Sequence, residues 1–412
     1  MTSRERIRAT LNHEQPDTLA IDFGGMRSTG IAAIAYNNLK KRLGLACETT
    51  KLYDVFQQLA EPELEIMDRF GGDVVQIHRL APAFGIKIKK WKPWTLQNGS
   101  PCLAPEDYNP VQNAKGDFEI INPVTGTIIS HMPKGGLYFD LVTRYLSDID
   151  SETDELDRVM QPEVMTDEEL DFIEAQCIAA RNTGKATLFA FGGNIFEMGQ
   201  SDFGYERFYC DLVGEKDFLH HYFTKLTDAY MIELEKVLSR VGKYIDVIQF
   251  GDDLGTQNAP QISPAMYCEM IQPYHARMYR YVQKNFPGTK VFLHCCGAIR
   301  PLIPHLIDAG AQIINPVQIT ANHMDPIALK RDFGKSLVFW GGGARMQTTA
   351  VNGTPKDLYR EARELIDIFS PGGGYVFNQV HNILACVTPE KVLAIYQAGL
   401  DARDSTWSKL YK

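Results

Sequence analysis

Short apolar segments recur along the chain, and nearly all of them are separated by segments with a helical pattern. They are continuously apolar and do not alternate with polar residues, which is typical of strands buried on both faces of a parallel sheet. We predict eight such strands, at residues 18–23, 73–78, 186–191, 247–250, 290–296, 312–315, 337–340 and 375–378. Eight strands that alternate with helices predict an α/β fold, a (β/α)8 TIM-type barrel.

One long segment departs from this pattern. Between residues 80 and 146, after the second strand, aromatic residues, prolines and alternating runs replace the helical pattern, which predicts a β-hairpin-rich insertion. We expect residues 1–412 to form a single barrel domain that contains this insertion. Just before it, the apolar spacing of residues 52–70 predicts a long amphipathic helix.

The composition is that of an ordinary globular protein, with 44% hydrophobic and 23% charged residues. The net charge of -9 argues against a nucleic-acid partner, which would require a basic surface. No apolar run is long enough to cross a membrane, and the charged N-terminus leads into a helix and not into a secretory signal. The eight cysteines lack the spacing of a disulfide framework, so we expect a reducing, cytoplasmic location.

The most informative stretch is Val291-Phe292-Leu293-His294-Cys295-Cys296-Gly297, a predicted buried strand that ends in a His-x-Cys pair. Because side chains alternate faces along a strand, His294 and Cys296 share a face and Cys295 points away. An imidazole and a thiolate on one face are two ligands suited to zinc. The alternative is that both cysteines are small buried hydrophobes and that His294 is a core histidine.

Polar residues follow most of the predicted strands, at the end where barrels of this type carry their active sites. The candidates for substrate binding are Asp22, His78, Asn194, Asn315, Gln318 and Asn378, and the candidates for catalysis are Asp252 and His381. Adjacent Asp252 and Asp253 point to opposite faces of an extended chain, so we favour Asp252 for the cavity and weigh a helix N-cap for Asp253. A zinc needs a third protein ligand, and the candidates are His381, Cys386 and Asp252.

With these residues in place, the chain resembles members of the uroporphyrinogen decarboxylase superfamily over nearly its whole length. The motifs that carry the resemblance are Gly251-Asp252-Asp253-Leu254-Gly255, Pro273-Tyr274-His275, His294-Cys295-Cys296-Gly297, Asn315-Pro316-Val317-Gln318, Trp340-Gly341-Gly342, and His381-Asn382-Ile383 with Thr388-Pro389-Glu390. The fold that the resemblance implies is an (αβ)8 barrel, which agrees with the strand count above.

The superfamily has two main chemistries. Its decarboxylases grip porphyrinogen carboxylates with an N-terminal Arg-Gln-Ala-Gly-Arg-Tyr motif, and the comparable stretch here, residues 23–30, has the single arginine Arg27. The other branch comprises cobalamin-dependent methyltransferases, in which a His-x-Cys pair and a later cysteine bind zinc. His294 and Cys296 match the pair. Residues 372–383 hold no cysteine, so His381 or Cys386 must supply the third ligand unless the site is different.

The resemblance therefore implies a corrinoid-dependent methyltransferase. It would pass a methyl group from a small donor (an aryl methyl ether, a methylamine or a methylthiol) to cob(I)alamin on a partner corrinoid protein. Zinc, or a proton from His381 or Asp252, would stabilise the leaving group. Aromatic residues of the insertion would line a pocket for an aryl donor; they are Trp91, Trp94, Tyr108 and Phe118.

Two other functions stay open at this point. One is a decarboxylase of a different small carboxylic acid, which would work without zinc or corrinoid. The other is a barrel without catalytic activity that serves as a binding module, although the cluster of polar residues at one end argues against it. Whether the protein forms a homodimer is also left open.

Overall fold

The computed structural model of the protein describes residues 1–122, 124–151, 153–160 and 165–405. Two compact units divide the chain: Met1–Thr143 together with Gly341–Lys412, and Arg144–Trp340.

The strands that were predicted from apolar runs are all present. They are β1 (Ala20–Ile21), β2 (Val74–Ile77), β3 (Ala186–Gly192), β4 (Val247–Gly251), β5 (Lys290–His294), β6 (Ile313–Asn315), β7 (Val338–Trp340) and β8 (Tyr375–Phe377). Within the described residues they form one sheet, in the order β1-β8-β7-β6-β5-β4-β3-β2. Sequential order in a parallel sheet, with helices between the strands, is the topology of a (β/α)8 barrel. The predicted fold class is therefore confirmed.

The unit Arg144–Trp340 holds the consecutive parallel strands β3 to β7. Its register aligns the strand ends, because Gly251 of β4 lies beside His294 of β5, and His294 lies beside Asn315 of β6. Every residue of β4 and β6 is buried, as expected for strands covered on both faces. Polar residues that end or follow these strands consequently emerge along one edge of the sheet.

Helices connect the strands. In chain order they are Ser3–Leu11, Ala33–Leu43, Leu64–Arg69, Thr153–Val159, Asp167–Asn182, Phe196–Phe203, Tyr205–Gly214, Lys216–Val241, Pro264–Met270, Gln272–Asn285, Ile303–Ala309, Pro326–Phe333, Thr349–Asn352, Pro355–Phe369 and Pro389–Ser405. Short 3₁₀ segments occupy Arg27–Thr29, Gly242–Tyr244 and Arg300–Leu302.

The local sequence explains where many of these helices begin. Before Pro264–Met270, for example, the Ser263 side chain accepts a hydrogen bond from the Met266 amide, and Pro264 occupies the first turn. A serine cap followed by proline suits the first turn, where the backbone amides have no partner within the helix.

The predicted hairpin-rich insertion is present as additional β structure. A five-stranded sheet has the order Ile31–Ala32, Leu59–Glu61, Lys51–Asp54, Pro101–Pro105 and Trp91–Thr95. A four-stranded antiparallel sheet has the order Asp140–Leu141, Ile128–Met132, Phe118–Ile121 and Val111–Gln112. Most of these strands lie between residues 80 and 146, where aromatic residues and alternating runs had predicted them.

The helix predicted for residues 52–70 was wrong. The strands Lys51–Asp54 and Leu59–Glu61 and the turn between them occupy the first half of that segment, and only Leu64–Arg69 is helical. The Asp54 carboxylate accepts hydrogen bonds from the amides of Phe56 and Gln57, which closes a turn between the strands. Pro62 would also have broken a continuous helix, because it lacks an amide hydrogen.

No helix in the part of the chain that the structure describes has the length and apolar character needed to cross a bilayer.

A buried ion-pair network ties both ends of the chain to β1. Asp73 is 1% exposed, and its carboxylate accepts hydrogen bonds from Arg6 at 2.7 Å and from the Ile21 amide at 3.0 Å. Arg403, from the helix Pro389–Ser405, also pairs with Asp73 and donates to the Leu19 carbonyl at 2.8 Å. One carboxylate thus pairs with two guanidinium groups and fixes a strand amide, and Arg6 pairs in addition with Asp17 at 2.9 Å.

Asp73→Ala should lower the free energy of unfolding by about 3–5 kcal/mol, because it removes the carboxylate that pairs with the partly buried Arg403 and one of the two carboxylates that pair with Arg6. Urea denaturation of the folded protein measures this change. The control is Lys216→Ala, which breaks an exposed pair with Glu269 and should cost at most about 1 kcal/mol. A cost near the control value for Asp73→Ala would mean that the two ion pairs of Asp73 do not stabilise the fold.

Candidate active site

The candidate site begins with the histidine that ends β5. His294 lies beside Asn315 in the sheet, and its Nδ1 is 2.8 Å from Asn315 Oδ1. The amide of Asn315 is oriented by a second hydrogen bond, in which Nδ2 donates to the Trp340 carbonyl at 2.9 Å. Because Oδ1 can only accept, His294 Nδ1 must carry the proton. The lone pair of the neutral ring is therefore on Nε2.

That nitrogen faces the thiol of Cys296. The distance from His294 Nε2 to Cys296 Sγ is 3.5 Å, whereas Cys295 is completely buried and its Sγ accepts the Leu254 amide. A tetrahedral zinc with nitrogen at about 2.0 Å and sulfur at about 2.3 Å holds these two atoms about 3.5 Å apart. The shared face of His294 and Cys296 agrees with the sequence analysis, and the spacing of the two atoms fits zinc.

The loop after β5 is held by a close backbone approach. Gly297 has φ of 93°, and a Cβ at this position would lie 2.5 Å from the carbonyl carbon of Gly255. Only glycine tolerates both this φ and this contact. Gln318 fixes the same loop, because its Oε1 accepts the Gly297 amide at 2.8 Å.

Asp253, which follows β4, is a carboxylate that lies next to this pair. Its Oδ1 accepts the Cys296 amide at 2.8 Å and lies 3.8 Å from His294 Nε2. Burial raises the pKa of the Cys296 thiol well above its ordinary value, and the negative charge of Asp253 raises it further. A bound divalent cation would reverse this effect, since it favours the thiolate.

Asp252 is arranged differently from the sequence-based expectation. It is fully buried, and its carboxylate accepts the amides of Phe196 and Glu197, both at 2.8 Å. The Nε2 of His275 lies 2.9 Å from the same carboxylate. These contacts give Asp252 a structural role at the start of the helix Phe196–Phe203. Its predicted part in catalysis stays a prediction that these contacts do not support.

Glu197 is a residue that the sequence analysis missed. Its Oε2 accepts the Asp253 amide at 3.0 Å and Asn194 Nδ2 at 2.6 Å. Burial, followed by the charges of Asp253 and Asp252, raises the pKa of Glu197 to about 8. The spacing Asn194-x-x-Glu197 at the start of a helix, directly after a glycine-ended strand, was the available signal.

The predicted substrate-binding residues thus have defined places in the unit Arg144–Trp340. Asn315 orients His294, Asn194 holds Glu197, and Gln318 fixes the Gly297 loop while its Nε2 donates to Gln257 at 2.8 Å. All three support residues around the His294–Cys296 pair. Whether any of them also contacts a substrate stays a prediction.

Three more predicted residues lie in the other unit. Asp22 is fully buried, and its Oδ1 accepts the Gly25 amide at 2.6 Å. His78 Nε2 lies 3.6 Å from a Glu61 carboxylate oxygen. Asn378 is fully buried and donates from Nδ2 to the Gln379 carbonyl at 2.9 Å. Their predicted role in substrate binding also stays a prediction.

His381 and Cys386 follow β8 in that same unit. His381 has a left-handed backbone with φ of 59°, and its Nδ1 accepts the amide of Asn382 at 2.8 Å. A neutral ring that accepts at Nδ1 carries its proton on Nε2, which suits the predicted proton donor better than a metal ligand. Cys386 is an exposed free thiol.

The single arginine of residues 23–30 is already paired. Arg27 forms an ion pair with Asp54, whose side chain is fully buried, and lies 5.7 Å from the centre of the Phe56 ring. Its charge is therefore neutralised by a residue of the protein before any substrate carboxylate arrives.

Glu197→Gln tests the raised pKa of Glu197. The ordinary value is 4.5 and the folded-state value is about 8, so the folded state binds a proton more tightly across that interval. The contribution of Glu197 to stability should therefore be lost as the pH rises from about 5 to about 8, so the change of stability with pH should be more negative in the wild type than in Glu197→Gln. Urea unfolding of metal-free protein at several pH values measures the difference. Parallel stability curves for the two proteins would contradict the raised pKa.

Comparisons with known proteins agree with this architecture. A methyltransferase from Methanosarcina mazei aligns with a TM-score of 0.58 and 14% identity, covering 97% of this chain and 99% of that chain. At this identity the likeness shows a shared fold. An endo-1,4-beta-xylanase from Penicillium canescens aligns with a TM-score of only 0.35 and 13% identity, covering 62% of this chain and 83% of that chain.

Sequence comparison is more specific. No curated protein matches the chain. The family model described as uroporphyrinogen decarboxylase, however, matches residues 141–399, well over half of the chain. The matched part contains the strands β3 to β8 and all of the His294, Cys296, Asp253 and Glu197 cluster. The chain therefore belongs to the uroporphyrinogen decarboxylase family.

Proposed function

We propose that the protein is a methyltransferase that moves a methyl group from a small donor to cob(I)alamin on a partner corrinoid protein. The donor belongs to the aryl methyl ether, methylamine or methylthiol class. In such a transfer the methyl group leaves without its bonding electrons, which stay on the heteroatom of the donor. The protein must therefore stabilise negative charge on that heteroatom.

The observation that carries the proposal is the pair of donor atoms at the end of β5. His294 Nε2 and Cys296 Sγ are 3.5 Å apart, and the Asn315 contact fixes the ring with its lone pair on Nε2. A histidine ligand whose other nitrogen donates to a fixed oxygen is the arrangement common in protein zinc sites. We infer that these two residues hold zinc.

Bound zinc would supply Lewis acidity to the leaving group. The chain's own residues orient the two ligands. Asn315 fixes the His294 ring, Gly297 allows the loop after β5 to pass close to Gly255, and Asp253 holds the Cys296 amide. His381, with its proton on Nε2, is the proposed proton donor. The third ligand, His381 or Cys386, stays a prediction, as does the corrinoid partner.

The decarboxylase alternative receives less support from the described contacts. A decarboxylase that grips the carboxylate of a small acid needs a cation that is not already neutralised. Arg27 is paired with Asp54, and the two amides of Phe56 and Gln57 hold that aspartate in place. Methyl transfer makes no such demand on Arg27, so we favour it.

The aromatic pocket predicted for an aryl donor is only partly available. Tyr108 is 1% exposed and packs edge-on against Trp94 with ring centres 5.2 Å apart, so it belongs to the core of the insertion. Trp91 lies 5.3 Å from the Lys51 ammonium group. An aryl donor is therefore one member of the proposed class, without preference over the other two.

Asn315→Ala should weaken zinc binding by about 10–100-fold, because the His294 ring loses the contact that fixes its tautomer. Competition with a chromogenic chelator measures the affinity. Asn322→Ala is the control, since Asn322 is exposed and its side-chain Nδ2 donates to the Asn258 carbonyl at 3.3 Å, away from His294. Equal affinities for the two variants would mean that Asn315 does not set the His294 tautomer.

Cys296→Ser and His294→Ala should abolish stoichiometric zinc binding and reduce the formation of methylcobalamin at least about 100-fold. The assay combines metal analysis with the visible spectrum of cob(I)alamin, incubated with a panel of methyl donors. Cys268→Ser is the matched control, because Cys268 is a half-buried thiol in the same unit and its Sγ lies 3.3 Å from His305 Nδ1, not beside His294.

The three functions give different results in this assay. Methylcobalamin that disappears in His294→Ala supports the proposal. Carbon dioxide released from small acids without corrinoid or zinc would replace it with the decarboxylase. If neither methylcobalamin nor carbon dioxide forms with any donor or acid, the binding module is the function that remains.

A further inference from the structure

The proposed chemistry does not use a set of buried groups around Asp252 and His275. Asp252 and His275 both have side chains that are 0% exposed, and they face each other at 2.9 Å. The Nδ1 of His275 lies 3.2 Å from the Tyr267 hydroxyl, and its ring stacks on Tyr279 with centres 5.2 Å apart. A buried carboxylate is costly unless it is fully hydrogen-bonded, so its partners indicate its role.

Asp252 has its full complement of partners within the fold. Besides His275, it accepts the amides of Ile195, Phe196 and Glu197 at 3.3, 2.8 and 2.8 Å. Four donors use up the acceptor capacity of a carboxylate. The group therefore has no lone pair to offer a substrate, and its effect on the site must pass through the residues that it holds.

A continuous path leads from those residues to Cys296. The Glu197 backbone is fixed by Asp252, and the Glu197 side chain accepts the Asp253 amide at 3.0 Å. Asp253 in turn accepts the Cys296 amide at 2.8 Å. Each contact on the path is a hydrogen bond from a backbone amide to an oxygen of an acidic side chain.

We propose that Asp252 and His275 are positioning residues, which set the placement of Cys296 through Glu197 and Asp253. This inference deepens the proposed function, and its test by zinc affinity rests on that function. It assigns Asp252 a role different from catalysis, and it brings into the site His275, 19 residues before His294 in a helix that the site does not otherwise use.

Asp252→Asn tests the path, because it keeps the shape of the side chain and removes the charge that holds three amides and His275. Asp202→Asn is the matched control. Asp202 lies on the same helix Phe196–Phe203, and its carboxylate accepts the Tyr222 hydroxyl at 2.7 Å. Among the described residues, the Asp202 carboxylate has no hydrogen bond to Asp253 or Cys296.

The first measurement is amide hydrogen exchange of metal-free protein, read by mass spectrometry on the peptide that contains Cys296. Asp252→Asn should speed exchange there, 44 residues away in sequence, whereas Asp202→Asn should not. The second is zinc affinity, which should fall about 10–100-fold in Asp252→Asn and stay within about twofold in Asp202→Asn.

The outcomes separate this inference from the proposed function. Wild-type protein that binds no zinc would end the metal proposal, and the exchange measurement would still decide the positioning role. Equal exchange at Cys296 in both variants would overturn the positioning role even if zinc binds. If Asp252→Asn does not fold, His275→Phe decides, because it keeps an aromatic ring against Tyr279 and removes the His275 donor to Asp252. Faster Cys296 exchange in that variant supports the inference, and unchanged exchange overturns it.

Discussion

The hydrogen bond between His294 and Asn315 determines what the site can bind. It places the imidazole proton on Nδ1 and the lone pair on Nε2, toward the sulfur of Cys296. If the Asn315 amide were reversed, its Nδ2 would donate to His294 Nδ1, and the ring would carry its lone pair on Nδ1 and its proton on Nε2. The histidine would then offer no ligand atom to a metal beside the thiol. The Trp340 carbonyl prevents that reversal, because it can only accept a hydrogen bond.

Carboxylates surround this pair in an ordered series. The Asp252 carboxylate is fully occupied by hydrogen bonds within the fold. Burial and its acidic neighbours raise the pKa of Glu197, and Asp253 accepts the amide of Cys296. Acidic groups so close together repel one another unless a proton or a cation lies among them. A divalent cation at His294 and Cys296 would relieve this repulsion, which gives the cluster a physical reason to bind metal.

Much of the fold could be predicted from the sequence, because buried parallel strands leave continuous apolar runs that stand out from helices. The helix predicted for residues 52–70 failed because apolar spacing was weighed above Pro62 and the turn closed by Asp54. The His294–Cys296 pair was predictable because two-residue alternation in a strand is fixed by backbone geometry.

The rest of the site depended on contacts between distant residues. The alternation of side chains along an extended chain predicted that Asp252 and Asp253 face opposite ways. Their partners are His275 and the Cys296 amide, which lie 23 and 43 residues further along the chain. Glu197 was missed for the same reason, since its role depends on the amide of Asp253, which follows the neighbouring strand β4. Membership of the uroporphyrinogen decarboxylase family restricts the fold but does not choose between its chemistries.

The most direct test of the central claim is X-ray absorption at the zinc edge of the purified full-length protein. We expect a first shell that contains both sulfur at about 2.3 Å and imidazole nitrogen at about 2.0 Å, with the sulfur contribution lost in Cys296→Ser. Protein that binds no zinc, or zinc surrounded only by oxygen, would contradict the account.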